Sequence, residues 1–349
     1  MLQISPNFLP KRCNNIQSGN IQAKKFPNLN PLAFDTVSFS GKEKVIKKTV
    51  ESINKNKNFI WDPANKKSMI EINALCESFK IPLKKFEWDL RQAMKPIIST
   101  ESNPNNIIMP GKRGIHSRIK DPKKVARKGN KRHITTIEGL KKMGDVGGVR
   151  IVLRSGTQQD TIKVFDQMKQ LVKKGYKVLE VENYRSTISD GYVSSKTLEN
   201  FEQYCNNHGQ YPSIKSQAMP NSYPAVHVSF ELPSGEVVEL QILGRDVENY
   251  KEVEDLFYKY RCNEDFSVQY KSIQNMFKRI IPKLDDFQTE TLERYHKDSY
   301  EHARHIPPRS SKLRFSPERD FLPFPYSLPP ELNPINLYYQ MDKLNGAKL

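Results

Sequence analysis

The sequence predicts an α+β domain with a mixed β-sheet of about five strands and flanking helices. Two apolar runs, GGVRIVL (147–153) and KVLEVENY (177–184), are typical of strands. Residues 221–242 alternate between apolar and polar side chains on both sides of a Pro-Ser-Gly turn, which predicts a β-hairpin. Segments with a helical period lie before, between and after these strands. This order of helices, strand, helix, strand, hairpin and helices is that of one α+β domain.

The helices can be placed by their apolar spacing and by their end signals. Residues 43–99 carry apolar side chains three and four positions apart. A helix follows the first strand, because Thr157 is a suitable N-cap and Asp160 stands three residues later. Two more helices are predicted over 245–261 and 266–303, and Pro282 should interrupt the second.

The two ends of the chain differ in composition from this domain. Residues 1–41 are rich in Asn, Pro and Gln without sustained periodicity, so we expect a disordered leader. The domain itself is predicted over 43–303, with polar segments at 100–135 and 185–221. The tail, residues 304–349, contains eight of the 23 prolines, which predicts an extended chain.

Composition excludes several classes of protein. No run of about 18 apolar residues is present, so we expect no membrane partner. The N-terminus lacks the apolar core of a secretory signal. The four cysteines, Cys13, Cys76, Cys205 and Cys262, form no CxxC pair, which argues against a zinc or disulfide scaffold. These features together predict a cytoplasmic protein.

The positive charge is concentrated in the first part of the chain. Residues 1–150 contain 30 Lys and Arg against 12 Asp and Glu, whereas residues 151–349 contain 26 against 27. Between Lys112 and Arg132 there are ten basic residues and a single acid, Asp121. Such a run is either a solvated stretch or a set of cations that grips phosphate oxygens. The asymmetry indicates a polyanionic partner, either nucleotide phosphates or RNA.

Two carboxylates stand where a phosphoryl-transfer site would need them. Asp145 directly precedes the first strand, where it is either a turn residue or a Mg²⁺ ligand. Arg150 lies within that strand and requires an anionic partner. Glu239 lies on the polar face of the hairpin, which is either a solvated face or one side of a ligand site.

Four motifs in these segments resemble the synthetase domain of the RelA/SpoT family, the (p)ppGpp synthetases. They are RIKDPKKVARK (118–128), DVGGVRI (145–151), NSYPAVH (221–227) and ELQI (239–242), followed by the pair Tyr258-Lys259. The resemblance extends over about residues 112–261. It implies a nucleotidyltransferase-like fold and a small, single-domain synthetase. No His-Asp metal-hydrolase motif precedes this region, so we expect no alarmone hydrolase activity.

The resemblance also implies a reaction and a role for each matched residue. The family transfers the β,γ-pyrophosphate of ATP to the 3′-OH of GDP or GTP, with Mg²⁺ as cofactor. Asp145 would hold Mg²⁺, and Glu239 would join it or accept the proton of the attacking hydroxyl. Tyr223 would stack on the acceptor guanine, supported by His227 and Gln241. The residues implied in binding ATP phosphates are Arg118, Lys120, Lys124, Lys128 and Arg150.

The chain departs from the family pattern at four positions. Lys124 and Ser222 replace the usual Ser and Gly, and Leu243 and Asp255 stand where Arg and His are common. A residue other than Gly before Tyr223 costs free energy if that position needs a positive φ. Two alternatives therefore stay open. One is a toxin-type relative that pyrophosphorylates tRNA 3′ ends or adenosine nucleotides, and the other is a catalytically dead module that binds nucleotide or RNA.

Overall fold

The computed structural model describes residues 61–185, 192–219, 221–306 and 315–346, so the predicted leader lies outside the described residues. The strands within them are β1 Ile115–Ile119, β2 Gly147–Leu153, β3 Lys177–Arg185, β4 Ser213–Ala218, β5 Ala225–Glu231 and β6 Val237–Gly244. They form one mixed sheet in the order β1-β2-β6-β5-β3-β4. The pairs β2–β6 and β3–β4 are parallel, and the others are antiparallel. The predicted α+β class is confirmed.

Helices flank this sheet in the described part of the chain. They are α1 Lys66–Ser78, α2 Lys80–Met94, α3 Pro122–Lys131, α4 Ile137–Lys141, α5 Gln158–Lys173, α6 Ser195–Asn206, α7 Arg245–Arg261, α8 Lys271–Ile280, α9 Asp286–His305, α10 Pro317–Asp320 and α11 Pro334–Leu344. Three predicted helical features are confirmed. Thr157 caps α5 by accepting a hydrogen bond from the amide of Asp160, at 3.2 Å. Helix α7 has the predicted bounds, and Pro282 lies in a short 3₁₀ turn between α8 and α9.

The two faces of the sheet have different chemistry because side chains alternate along each strand. Val226, Val228 and Phe230 of β5 are fully buried on the apolar face. Helix α2 covers this face, with the ring centroid of Phe86 5.3 Å from that of Phe230. The opposite face is polar and is bordered by α7. Within the described residues, no helix combines the length and hydropathy that a membrane span requires.

Cross-strand register aligns polar residues in a row across the polar face. His116 of β1 pairs with Arg150 of β2, which pairs with Gln241 of β6. Gln241 pairs with His227 of β5, which pairs with Glu182 of β3. Residues directly opposite on neighbouring strands are close enough for their side chains to interact. The fold therefore brings residues from distant motifs together on one surface.

Two strands and two helices lie in the segments predicted only as polar. Strand β1 and α3 fall within 100–135, and α6 and β4 fall within 185–221. Strands β1 and β4 are the two edges of the sheet. Residues of β4 are exposed except for one, so burial does not impose an apolar alternation on its sequence. The sheet therefore has six strands where about five were predicted.

The described part of the tail, residues 315–346, differs from the predicted extended chain. Pro317, Pro330 and Pro334 each stand in the first turn of a short helix, where the missing amide hydrogen has no cost. Buried side chains from this segment join the core, among them Leu332 and Leu337. The prolines thus begin helices that pack against the domain.

His296 of α9 makes stability dependent on pH. Its ring is buried, and Nδ1 lies 2.7 Å from the hydroxyl of Tyr250. Burial lowers the pKa of His296 to about 3, with a smaller contribution from Arg261. Because the unfolded chain takes up the proton first, stability present above pH 6.5 is lost as the pH falls. At pH 5 this histidine alone should reduce the free energy of unfolding by about 2 kcal/mol.

Urea denaturation at pH 7.5 and pH 5 checks this value. Many other groups titrate in that range, so a reference protein that lacks only His296 is needed. His296→Gln serves as this reference, because the glutamine amide can still form a hydrogen bond with the Tyr250 hydroxyl. The variant should lose less stability than the wild type on acidification. An equal loss in both proteins would exclude His296 as the source.

Candidate active site

Asp145 and Glu239, from two different motifs, line the same cavity on the polar face of the sheet. They come together because Gly148 of β2 is the direct neighbour of Glu239 on β6. The other residues that line the cavity are His116, Arg118, Lys120, Gly144, Val146, Gly147, Gly148, Val149, Arg150 and Gln241. The surface therefore combines two carboxylates with several cations.

Two lysines bind the carboxylate of Asp145. Lys120 Nζ lies 2.6 Å from Oδ1, and Lys128 Nζ contacts Oδ2. Lys120 directly follows β1, and Lys128 is on α3, which begins at the N-cap Asp121. Burial, together with the charges of Lys120 and Arg132, lowers the pKa of Lys128 to about 8. Two half-buried ammonium groups around one carboxylate leave positive charge available to an anionic ligand.

Glu239 is held as an anion by its neighbours. His227 Nδ1 lies 3.2 Å from Oε1, and Gln241 Nε2 donates a 2.6 Å hydrogen bond to Oε2. Burial raises the pKa of Glu239, but the interactions with His227 and Gln241 and the charge of Lys128 outweigh this effect and lower the pKa to about 2. A group with so low a pKa is a weak general base, whereas it suits a metal ligand.

Arg150 has the anionic partner that its place in a strand requires. Its Nη1 lies 2.9 Å from Glu248 Oε1, and its Nε and Nη2 donate to Gln241 Oε1 at 3.3 and 3.0 Å. His116 Nε2 approaches the same oxygen of Glu248 to 3.7 Å. Arg150 therefore lines the cavity but uses its guanidinium to hold Gln241, which in turn bonds Glu239. Sequence reasoning missed Glu248, whose only signal is an acid in the first turn of α7.

The implied phosphate-binding residues divide into two groups. Arg118 and Lys120 line the cavity, and Lys128 reaches it through Asp145. Lys124 is exposed one turn earlier on α3 and does not line the cavity. The structure thus brings Arg118, Lys120 and Lys128 to the two carboxylates and leaves Lys124 exposed outside the cavity.

Tyr223, which the resemblance implies as the guanine-stacking residue, is largely covered in the structure. Only 7% of its surface is exposed, and it does not line the cavity. Lys251 Nζ donates a 2.8 Å hydrogen bond to its hydroxyl. The ring of Tyr300 from α9 packs edge-on against it, with the centroids 5.6 Å apart. Stacking on a base therefore requires that this ring be uncovered, and neither Lys251 nor Tyr300 was identified from the sequence.

Two departures from the family pattern have a structural consequence. Leu243 is fully buried in the sheet, so it contacts no ligand. Asp255 contacts Lys259, the next basic residue along α7. Its neighbour Glu254 is buried and accepts a hydrogen bond from Tyr300 at 3.2 Å. This part of α7 is therefore occupied by contacts within the protein.

Ser222 adopts the left-handed conformation that glycine favours, with φ at +58°. Ser222→Gly should therefore raise the free energy of unfolding by roughly 0.5 to 1 kcal/mol, since removing strain outweighs the added flexibility of the unfolded chain. Urea denaturation measures the change. Ser222→Ala retains the strain and should show no gain, and a lower midpoint for Ser222→Gly than for the wild type would refute this account.

The two carboxylates fit the requirements of Mg²⁺. The described residues contain no cluster of three or more His, Cys, Asp or Glu placed to hold a metal. Mg²⁺ at nucleotide sites, however, is bound by one or two carboxylates and completes its shell with water and substrate phosphates. Asp145 and Glu239 line one cavity and supply two carboxylates. The lysines that contact Asp145 show that positive charge is accommodated beside this carboxylate.

Several solved structures resemble this chain at low identity. The small alarmone synthetase 1 from Bacillus subtilis is 16% identical, with 58% of this chain and 86% of that chain covered and a TM-score of 0.35. A GTP pyrophosphokinase family protein from Streptococcus pneumoniae is 18% identical, with 63% and 96% covered and a TM-score of 0.35. The small alarmone synthetase 2 from the same Bacillus is 20% identical, with 60% and 94% covered and a TM-score of 0.32.

The family comparison is more specific than these structural similarities. No curated protein sequence matches the chain. Residues 117–265 match the family model described as "Region found in RelA / SpoT proteins". This range contains all four motifs and both carboxylates of the cavity. The resemblance predicted from the motifs is confirmed over residues 117–265.

Proposed function

We propose that this chain transfers the β,γ-pyrophosphoryl group of ATP to the ribose 3′-OH of GDP or GTP, with Mg²⁺ as cofactor. The observation that carries the proposal is that Asp145 and Glu239 line one cavity together with Arg118 and Lys120 inside a RelA/SpoT region. ATP and guanine nucleotides are the partners, and the cytoplasm is the proposed location.

The cations of the site suit the charge of this reaction. Phosphoryl transfer depends on positioning and on neutralising charge spread over phosphate oxygens. Arg118, Lys120 and Lys128 would bind the triphosphate, and Asp145 and Glu239 would hold Mg²⁺. When bound, the metal neutralises phosphate oxygens and orients the donor. The 3′ oxygen forms a bond to the β-phosphorus, the bond from that phosphorus to the α–β bridging oxygen breaks, and AMP leaves.

Of the two roles implied for Glu239, its lowered pKa favours metal binding. An anion with a pKa of about 2 takes up a proton poorly at neutral pH. The proton of the 3′-OH then passes to solvent or to a phosphate oxygen. Arg150 and Gln241 act as positioning residues, because they hold the Glu239 carboxylate in the cavity.

The acceptor side of the site is proposed next to the hairpin. His227 contacts Glu239 and packs against Tyr184, with ring centroids 4.7 Å apart. The ring of Tyr223 lies 6.4 Å from that of His227 and 6.5 Å from that of Tyr184. A guanine that stacks on Tyr223 would replace part of the cover that Tyr300 provides. The acceptor would then enter between the hairpin and α9.

The experiment that tests the proposal supplies γ-³²P-labelled ATP and Mg²⁺ with one acceptor in each tube. The acceptors are GDP, GTP, ATP alone and bulk tRNA, and chromatography and gels locate the label. Label in guanosine tetraphosphate or pentaphosphate is the expected result. Label only in adenosine nucleotides or only in tRNA would show that the acceptor is the one that the toxin-type alternative predicts. Nucleotide binding without transfer to any acceptor would favour the dead binding module.

A further inference from the structure

Helix α2 presents a basic stripe with an exposed tryptophan at its centre. Trp88 is 64% exposed, and Ile81, two turns earlier, is 81% exposed. The exposed residues of this stripe, which we call the α2 stripe, are Lys80, Ile81, Lys84, Lys85, Trp88, Gln92 and Lys95. Positions 81, 85, 88 and 92 follow the helical period and lie along one side of α2, and Lys95 directly follows the helix. The stripe carries four lysines and no carboxylate.

The nearby acids do not cancel this charge. Glu77 of α1 pairs with Lys80 at 2.6 Å. Asp89 is only 16% exposed, and it pairs with Lys174 at 2.7 Å and with Lys85 at 3.6 Å. Each carboxylate is thus matched by at least one lysine, while Lys84 and Lys95 have no acidic partner among the described residues. The surface around Trp88 has a net positive charge.

The stripe is not needed for packing the fold. The opposite side of α2 places Leu83, Phe86 and Leu90 in the core, all nearly or fully buried. Trp88 points away from them. An exposed indole among lysines combines a surface on which an unpaired base can stack with charges that bind phosphates.

Charge and composition distinguish between the possible occupants. A second copy of the chain docked by the same stripe would bring lysines against lysines, which is unfavourable. An interfacial membrane helix needs a broad apolar face, and the stripe offers only Ile81 and Trp88. A polyanion with exposed bases satisfies both the lysines and the indole. We propose that the α2 stripe binds single-stranded nucleic acid, with a base stacked on Trp88.

This binding site is separate from the proposed transfer site. Helix α2 packs on the apolar face of the sheet, through Phe86 and Phe230, whereas Asp145 and Glu239 lie on the polar face. A single-stranded nucleic acid bound along α2 therefore does not compete with nucleotides in the cavity. The inference stands whether or not the chain transfers pyrophosphate.

Intrinsic fluorescence reports on the proposed contact directly. The chain has two tryptophans, of which Trp61 is fully buried and Trp88 is exposed. Titration with a short single-stranded oligouridylate should quench the emission of Trp88. With four lysines engaged, the logarithm of the affinity should fall with the logarithm of salt concentration with a slope of about −3. Lys84→Gln should reduce that slope by about 0.7.

Trp88→Ala should weaken oligouridylate binding, measured by anisotropy of a labelled strand, by roughly tenfold or more. Phe287→Ala is the matched control, since Phe287 is an aromatic residue on α9 with 63% exposure, and this variant should bind normally. Pyrophosphate transfer should be unchanged in Trp88→Ala. Equal affinity in Trp88→Ala and the wild type would overturn the proposal. So would a fluorescence change only with anionic vesicles, or one that follows self-association.

Discussion

Replacing Asp145 with asparagine is expected to reduce pyrophosphate transfer at least about a hundredfold, as loss of a group that stabilises transition-state charge does. The substitution keeps the size of the side chain but removes its charge. Lys120 and Lys128 then lose the carboxylate that both contact, and Mg²⁺ loses one of its two proposed ligands. Initial rates with saturating ATP and GDP measure the effect.

Asp121→Asn is the matched control for this substitution. Asp121 belongs to the same basic segment, caps α3 and does not line the cavity, and asparagine is an equally good N-cap. This variant should retain the wild-type rate. Transfer by Asp145→Asn at the rate of the wild type, with the fold intact by thermal denaturation, would remove Asp145 from the mechanism.

Glu239→Gln should also lower transfer by about a hundredfold, and it should raise the Mg²⁺ concentration needed for half-maximal activity. The glutamine still accepts one hydrogen bond from Gln241 or His227, so the hairpin should remain folded. Because the pKa of Glu239 is about 2, the residual activity should keep the pH profile of the wild type between pH 5 and 8. Rates measured across Mg²⁺ concentration and pH separate the two roles of this carboxylate.

Glu231→Gln provides the comparison for Glu239→Gln. Glu231 is on the same hairpin, pairs with Lys177 at 3.5 Å and does not line the cavity. The Glu231→Gln variant should leave both the transfer rate and the Mg²⁺ requirement unchanged. If Glu239→Gln instead abolished an acidic limb of the pH profile at an unaltered Mg²⁺ requirement, Glu239 would be the general base.

The parts of the fold that could be predicted from the sequence are those where burial imposes a period. Strand β2, the hairpin and α7 are buried on at least one side, so their apolar residues recur at fixed spacing. The edge strand β4 is exposed and carries no such pattern. In the tail, Pro334 begins a helix. The prediction of an extended tail did not take into account that proline is favoured in the first turn of a helix.

The candidate site divides in the same way. Asp145 and Glu239 could be identified because Asp145 stands in a short motif just before a recognisable strand and Glu239 stands in a short motif within one. Glu248 could not, because it reaches Arg150 only when α7 crosses the sheet. The cover over Tyr223 could not be predicted either, since Tyr300 comes from a helix far along the chain and its contact depends on tertiary packing.

The fate of ATP during the reaction tests the central claim most directly. Purified protein, Mg²⁺, ATP and GDP are incubated, and AMP, ADP and guanosine tetraphosphate are separated and quantified over time. Pyrophosphoryl transfer at the cavity of Asp145 and Glu239 predicts that AMP and guanosine tetraphosphate appear in equal amounts, and that Asp145→Asn lowers the rate of both at least about a hundredfold. Accumulation of ADP with phosphate, or of AMP without a pyrophosphorylated guanosine, would contradict the account.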